Sequence, residues 1–271
     1  MRKWLAVCAI AALAWVPLRA DVTIVTTTTM EGPAAAMMGG QMPKLTQRIK
    51  GMKSRTDIEV MGQTMIAITD LAEKRVVLLQ SQTKTGQIIT PQTAAAGSSA
   101  LPKLDADISF KPTGKAQPID GVPCDEYTFT IKLAMAEMAG KGQMPPEAAA
   151  MMKEVYMVMQ GAMWVGKKAP GAAELMAFNK AALASNLVAA MSGMKPGESG
   201  GMDKLMAATA SAPGVPYLTE MTMTFEGTGP IVDQMKQMGP MKMIQKAASV
   251  STEAIGEDVF RVPEGYTIDK K

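Results

Sequence analysis

Tyr127-Thr-Phe-Thr-Ile-Lys-Leu-Ala-Met135 decides the architecture. Its apolar residues (Tyr127, Phe129, Ile131, Leu133, Met135) occupy every second position, with Thr128, Thr130, Lys132 and Ala134 between them. Successive side chains on a strand point to opposite faces, so this spacing predicts a strand with one face buried and one wet. The same period returns over 217–226, where Met221, Met223 and Phe225 alternate with Glu220, Thr222, Thr224 and Glu226. Over 155–164 the alternation of Val155, Met157, Met159 and Met163 is matched by a second apolar set, Tyr156, Val158 and Trp164. That pattern predicts a strand covered on both sides.

Weaker strand patterns run over 22–30, 44–50, 53–61, 63–70, 74–81, 86–90 and 247–254, with hairpin turns at Gly62-Gln63 and Thr83-Lys84-Thr85. Short connections and one-sided alternation predict an antiparallel sheet. The main helix is expected over 169–191. Pro170 suits a first turn, Glu174 favours the N-terminal end, and Leu175, Met176, Leu183, Leu187 and Met191 form one apolar side flanked by Phe178. Shorter helices are expected over 202–210 and 145–153. Ala-, Gly-, Pro-, Ser- and Met-rich stretches at 32–42, 93–100, 140–150 and 192–201 read as surface insertions. None is long enough to separate two domains, and no repeat of 20 to 50 residues is visible. The expectation is one α+β domain over 21–271, a long curved antiparallel sheet with a helix lying across one face.

Residues 1–20 read as an address. Arg2 and Lys3 precede an apolar run from Trp4 to Leu18, and Leu18-Arg19-Ala20 ends it on a small residue. This is the layout of a cleaved secretory signal, too short for a comfortable bilayer span. Cys8 sits mid-run behind Val7, which does not fit a lipid-attachment site, so the expectation is an exported periplasmic or secreted protein. The chain carries 28 basic and 25 acidic residues. Arg2, Lys3 and Arg19 lie in the address, which holds no acid, so the remainder is balanced. A balanced charge argues against a nucleic-acid partner. No later run is long enough to span a membrane. Cys124 is then a lone cysteine, read as a small buried hydrophobe.

Composition removes whole classes of chemistry. Of 271 residues, 47% are hydrophobic and 20% charged, which supports a packed core; aromatics are 4% against 27 methionines, so thioethers fill much of it. Histidine is absent, which excludes Ser-His-Asp and Cys-His catalysis and imidazole metal ligation. Gly161-Ala-Met-Trp-Val-Gly-Lys167 mimics a phosphate-binding loop, but Lys168 stands where Ser or Thr must meet magnesium. Ser192-Gly-Met-Lys195 and Lys84-Thr-Gly86 mimic penicillin-binding motifs in reversed order. The carboxylates are scattered, and no cofactor is expected. Met235, Met238, Met241 and Met243 are spaced so that thioethers could surround one soft ion; an exported Cu(I)-binding protein is therefore the alternative reading.

The order of elements resembles the periplasmic lipoprotein-carrier superfamily, the LolA/LolB-like half-barrels, and more narrowly the domain-of-unknown-function family 4412. Lys53-Ser-Arg-Thr-Asp-Ile-Glu-Val60 leading to Gly62-Gln63 and Ile66-Ala-Ile-Thr-Asp70 is similar to their opening hairpins. Gly121-Val-Pro-Cys124-Asp-Glu-Tyr127 resembles a G-x-x-C-x-x-Y strand start, and Met163-Trp-Val165 with Pro170-Gly171 resembles a W-V strand entering a helix. Gly214-Val-Pro-Tyr217 and Phe260-Arg-Val-Pro-Glu-Gly-Tyr266 complete the series. The resemblance implies a half-open barrel whose helices cover the concave face. It also implies a non-enzymatic binding role, with an apolar or acyl ligand, a lipid-modified partner or an envelope protein as the bound species. The residues expected to face that cavity are Tyr127, Phe129, Ile131, Met221, Met223 and Phe225, beneath Leu183 and Leu187 of the covering helix.

Overall fold

The computed structural model describes residues 21–32, 43–60, 62–96, 106–135, 152, 154–185, 187, 212–237 and 239–269. The expected address at 1–20, the insertions at 140–150 and 192–201, the helix at 202–210 and Met238 lie outside these residues. So does most of the 32–42 insertion and of the helix expected at 145–153. Residues 97–100 of the insertion expected at 93–100 also lie outside, while its first residues fall in a short helix.

Alternation builds the strands in chain order: β1 (Val22–Glu31), β2 (Lys44–Lys50), β3 (Lys53–Val60), β4 (Gln63–Asp70), β5 (Arg75–Gln80) and β6 (Thr85–Ile89). Helix α1 (Pro91–Ala96) follows, then β7 (Ala106–Ile119), β8 (Val122–Ala134), β9 (Tyr156–Gly166) and α2 (Ala172–Ala184). The chain continues through β10 (Val215–Glu226), α3 (Pro230–Gln237), β11 (Met241–Ser251), a 3-10 turn (Glu257–Phe260) and β12 (Thr267–Asp269). All twelve strands form one curved sheet, in the order β12-β6-β5-β4-β3-β2-β1-β11-β10-β9-β8-β7. Its two ends, β12 and β7, do not pair, so the sheet is unclosed. Every neighbouring pair is antiparallel except β12 with β6, which runs parallel. The purely antiparallel expectation fails there because β12 reaches the edge by a long return from β11 rather than by a hairpin.

Several expectations need correction. The helix starts at Ala172, after Pro170, because Gly171 takes a left-handed backbone (φ 73°) that ends the preceding turn. The strand expected at 247–254 is β11, which runs from Met241 to Ser251, and it is not the final one, since β12 follows it. Strand β7 has no counterpart among the expected strands, and it contains Pro112, Gly114 and Pro118. It is an edge strand, where the hydrogen bonds that proline cannot donate are not needed. A register shift between Pro112 and Ala116 absorbs the irregular residues. Asp120-Gly121, both at positive φ, turn the chain tightly into β8.

The two faces carry separate cores. On the face against which α2 packs, called the inner face here, Val22, Ile24, Ile49 and Val76 meet Leu175, Phe178 and Leu187. At one end of the sheet Cys124, Trp164, Val215 and Tyr217 join this cluster, although Trp164 and Cys124 lie on the parity opposite to Met163 and Tyr127. On the opposite, outer face, Ile66, Ile68, Val77 and Leu79 are covered by Ile255 and Phe260 of the C-terminal segment. Polar clips hold that segment: Lys50 Nζ donates to the Ile255 carbonyl at 2.6 Å, and Arg55 Nη1 to the Val259 carbonyl at 3.2 Å. Next to them Asp57, buried, accepts from Arg48 and from Arg55 Nε. On β9, Met157 and Val158 are both buried, so this strand is covered on both sides, as its sequence predicts.

Candidate functional site

Strand register assembles the inner face row by row. One row reads Phe110, Phe129, Gly161, Met221, Met243, Met30, from β7 to β1. The next toward one end reads Ile108, Ile131, Met159, Met223, Met241, and a third brings Leu133 to Met157 and Phe225. On the other side lies Pro112, Tyr127, Met163, Thr219, Gln245, Thr28. Six expected residues, Tyr127, Phe129, Ile131, Met221, Met223 and Phe225, thus share one face in adjoining rows. Phe129 and Ile131 are buried in a cluster with Leu133 and Met157, against which Met221, Met223 and Phe225 pack half-buried. Tyr127 is buried and stacks on Phe110, with ring centroids 5.1 Å apart and planes 7° off parallel.

The helix does not lie over them. Leu187 is 1% exposed, and it belongs with Val22, Ile24 and Ile49 rather than with the Phe129 cluster. The expectation that Leu183 and Leu187 cover Tyr127 to Phe225 is therefore corrected. The apolar side of α2 was legible in part: Leu175 and Phe178 are buried, but Met176, expected on that side, is exposed, and α2 ends at Ala184 rather than at 191. The part of the twelve-strand face that receives it is set by the chain path after β9. Gly171 seats the start of α2 directly against Val22 of β1: a Cβ added there would lie 2.3 Å from Val22 Cγ2.

Leu183 does line a cavity. Between α2 and the sheet lies a space of about 590 Å³, within the range of small-molecule sites. Its walls come from β1 (Ile24, Thr26, Thr28, Met30), β2 (Leu45, Gln47), β3 (Ile58), β9 (Met163), β10 (Thr219) and β11 (Met243, Gln245, Ala247), roofed by Leu175, Asn179, Ala182 and Leu183. Ile58 is shared with a second space of about 690 Å³, lined by Met65, Ala67 and Leu78 and running to the β6–β12 edge. Met163 is shared with the Phe129 cluster. The floor therefore continues in both directions along the inner face.

The residues missed by sequence reasoning are Thr26, Thr28, Gln47, Asn179, Thr219 and Gln245. Polar side chains on a strand read as the wet face, and four consecutive threonines, Thr26 to Thr29, conceal which parity points inward. Only the pairing of Val22 with Ile49 and Ile24 with Gln47 resolves it.

Of the four methionines proposed for Cu(I), Met241 and Met243 lie on β11 facing inward, Met235 lies on α3, and Met238 is outside the described residues. Among the described residues no group of three or more Cys, Asp or Glu converges as a metal site. Cys124 is buried, and burial pushes its thiol pKa up. The false phosphate loop is strand β9, and Lys167 beyond it pairs with Asp125 at 2.7 Å. Among the described residues no helix is long and apolar enough to cross a membrane. No family model and no curated protein matches the chain.

Proposed function

We propose that this chain is an exported, non-enzymatic binding protein of the half-barrel carrier type, holding an apolar, acyl-like ligand or the lipid anchor of an envelope partner on its inner face. The observation that carries this reading is the cavity between α2 and β1–β3, with its mostly apolar lining and its continuation past Ile58. Methionines at Met30, Met163 and Met243 give walls that adapt to irregular apolar shapes. The test is native mass spectrometry and solvent extraction of the purified 21–271 chain, with Nile red binding as a second readout. Co-purified lipid and saturable dye binding are expected. Leu183→Glu places a carboxylate in the roof and should weaken dye binding at least about tenfold, since burying an unpaired charge is costly. A folded protein without lipid or dye binding, or binding indifferent to Leu183→Glu, refutes the reading.

A second reading rests on the thioether lattice. Met243 stands opposite both Met30 and Met221, and Met223 opposite both Met159 and Met241. Paired residues on adjacent strands are about 5 Å apart at Cα, close enough for soft sulfur atoms to converge on Cu(I). An anaerobic Cu(I) titration against a competing chelator tests it, with Met221→Leu/Met243→Leu expected to abolish stoichiometric binding.

A further inference from the structure

Resting on the cavity reading above, we propose that the polar part of the occupant is uncharged, and that the Thr219–Gln245–Thr28 ladder holds it. The ligand class is then a small neutral acyl ester, amide or alcohol rather than a free fatty acid.

The first argument is charge. Among the described residues, none that line the cavity is Asp, Glu, Lys or Arg. A fatty-acid carboxylate entering this space would lose hydration without meeting a cation, a cost that an ester or hydroxyl does not carry. The charged side chains of the same strands sit on the other parity: Lys44 and Arg48 of β2, and Lys242 and Lys246 of β11. Those side chains point to the outer face.

The second argument is an unused set of hydrogen-bonding groups. Gln245 pairs in register with Thr219 on one side and Thr28 on the other, which makes a continuous polar line across β10, β11 and β1. Thr28 is 7% exposed, lines the cavity, and its hydroxyl makes no hydrogen bond among the described residues. Beside it, Thr26, Gln47, Asn179 and Thr219 are half-buried and Gln245 is exposed, and their side chains make no hydrogen bond among the described residues, so they stay open to a ligand while Thr28 is the buried group that needs one. Buried polar groups in folded proteins are nearly always paired, so an unpaired hydroxyl facing a cavity marks the place where something from outside completes the bond. Hydroxyls and primary amides both donate and accept, which fits them to a carbonyl, an ester oxygen or an alcohol alike.

The ladder also lies between two apolar stretches. Leu45 and Ile58 lead from it toward the second space, and Met163 leads toward Phe129. A polar group seated at the ladder leaves an attached acyl chain an apolar path.

The experiment is displacement of Nile red from the 21–271 protein at pH 8 by twelve-carbon ligands below their micellar concentrations, 1-monododecanoylglycerol against sodium dodecanoate. The glycerol ester should displace the dye at a concentration at least about tenfold lower. The paired near-isosteric change Thr28→Val/Gln245→Leu should reduce that preference to under about threefold, read as the ratio of the two displacing concentrations within the folded variant. Thr219→Val, on the same line, should move the preference in the same direction and serves if the double variant does not fold. Equal or tighter binding of dodecanoate overturns the inference while leaving the cavity reading standing, as does a preference that survives the ladder substitutions. Failure of folded wild-type protein to bind Nile red at all overturns both.

Discussion

The junction between α2 and β1 offers the most direct test of how the cavity is built. Gly171 combines φ +73° with a position where a Cβ would meet Val22 Cγ2 at 2.3 Å and Val22 Cβ at 2.8 Å. Gly171→Ala should therefore incur two costs: about 1–2 kcal/mol for an L-residue in the left-handed region, and about 1–3 kcal/mol for overpacking against a fully buried valine. A total of about 3 kcal/mol is expected, lowering the melting temperature by about 6–12 °C for a chain of this size. The urea midpoint should fall with an unchanged m-value. Val22→Ala alone removes methyl groups from a residue 0% exposed and should cost about 2 kcal/mol. In that background the Gly171→Ala penalty should shrink by about 1 kcal/mol, because the steric part is relieved and the backbone part persists. The coupling is read from a double-mutant cycle in urea. Additivity within about 0.3 kcal/mol would refute the packing argument, and an unchanged midpoint for Gly171→Ala would refute the placement of the helix start on β1.

Two further outcomes concern the buried thiol of β8 and the C-terminal segment. Cys124 is 1% exposed and its thiol is held up by burial, so it should resist a thiol reagent at pH 8 in buffer and react fully in urea; rapid labelling of the native protein would contradict the core placement. Glu257 is held below its ordinary value of 4.5, chiefly by the Lys53 hydrogen bond at 2.9 Å. A lowered folded pKa means the contact contributes above the unfolded value and is lost as pH falls through the folded one. Amide protection at Val259 and Arg261 should therefore decline on acidification below about pH 4.5, and Glu257→Gln should flatten that decline; identical pH profiles would show that the pair does not hold the C-terminal segment.

Legibility in the sequence depended on parity and position. Tyr127 to Leu133 and Met221 to Phe225 announce their buried face because polar and apolar residues alternate without interruption, and the structure puts that face where the alternation requires. Strand β7 was hidden because Pro112 and Pro118 signal a break unless the strand is known to be an edge, and edge status is a property of the whole sheet. The cavity floor was hidden for a related reason. Thr28 and Gln245 become inward-facing only through pairing with strands more than two hundred residues apart in the chain, a relation no local period encodes. The helix showed its apolar side through Leu175, Phe178 and Leu183, yet its landing place was fixed by the short segment after β9 that ends at Gly171.

The missing seam between β7 and β12 bears on what the inner face can accommodate. In a closed barrel, strand number and shear fix the girth, and widening it means breaking hydrogen bonds. A sheet left unstitched can change its bend by small adjustments of twist spread over many ladders, none of which has to come apart. On the binding role proposed above, such adjustments would let one chain accommodate guests of unequal bulk.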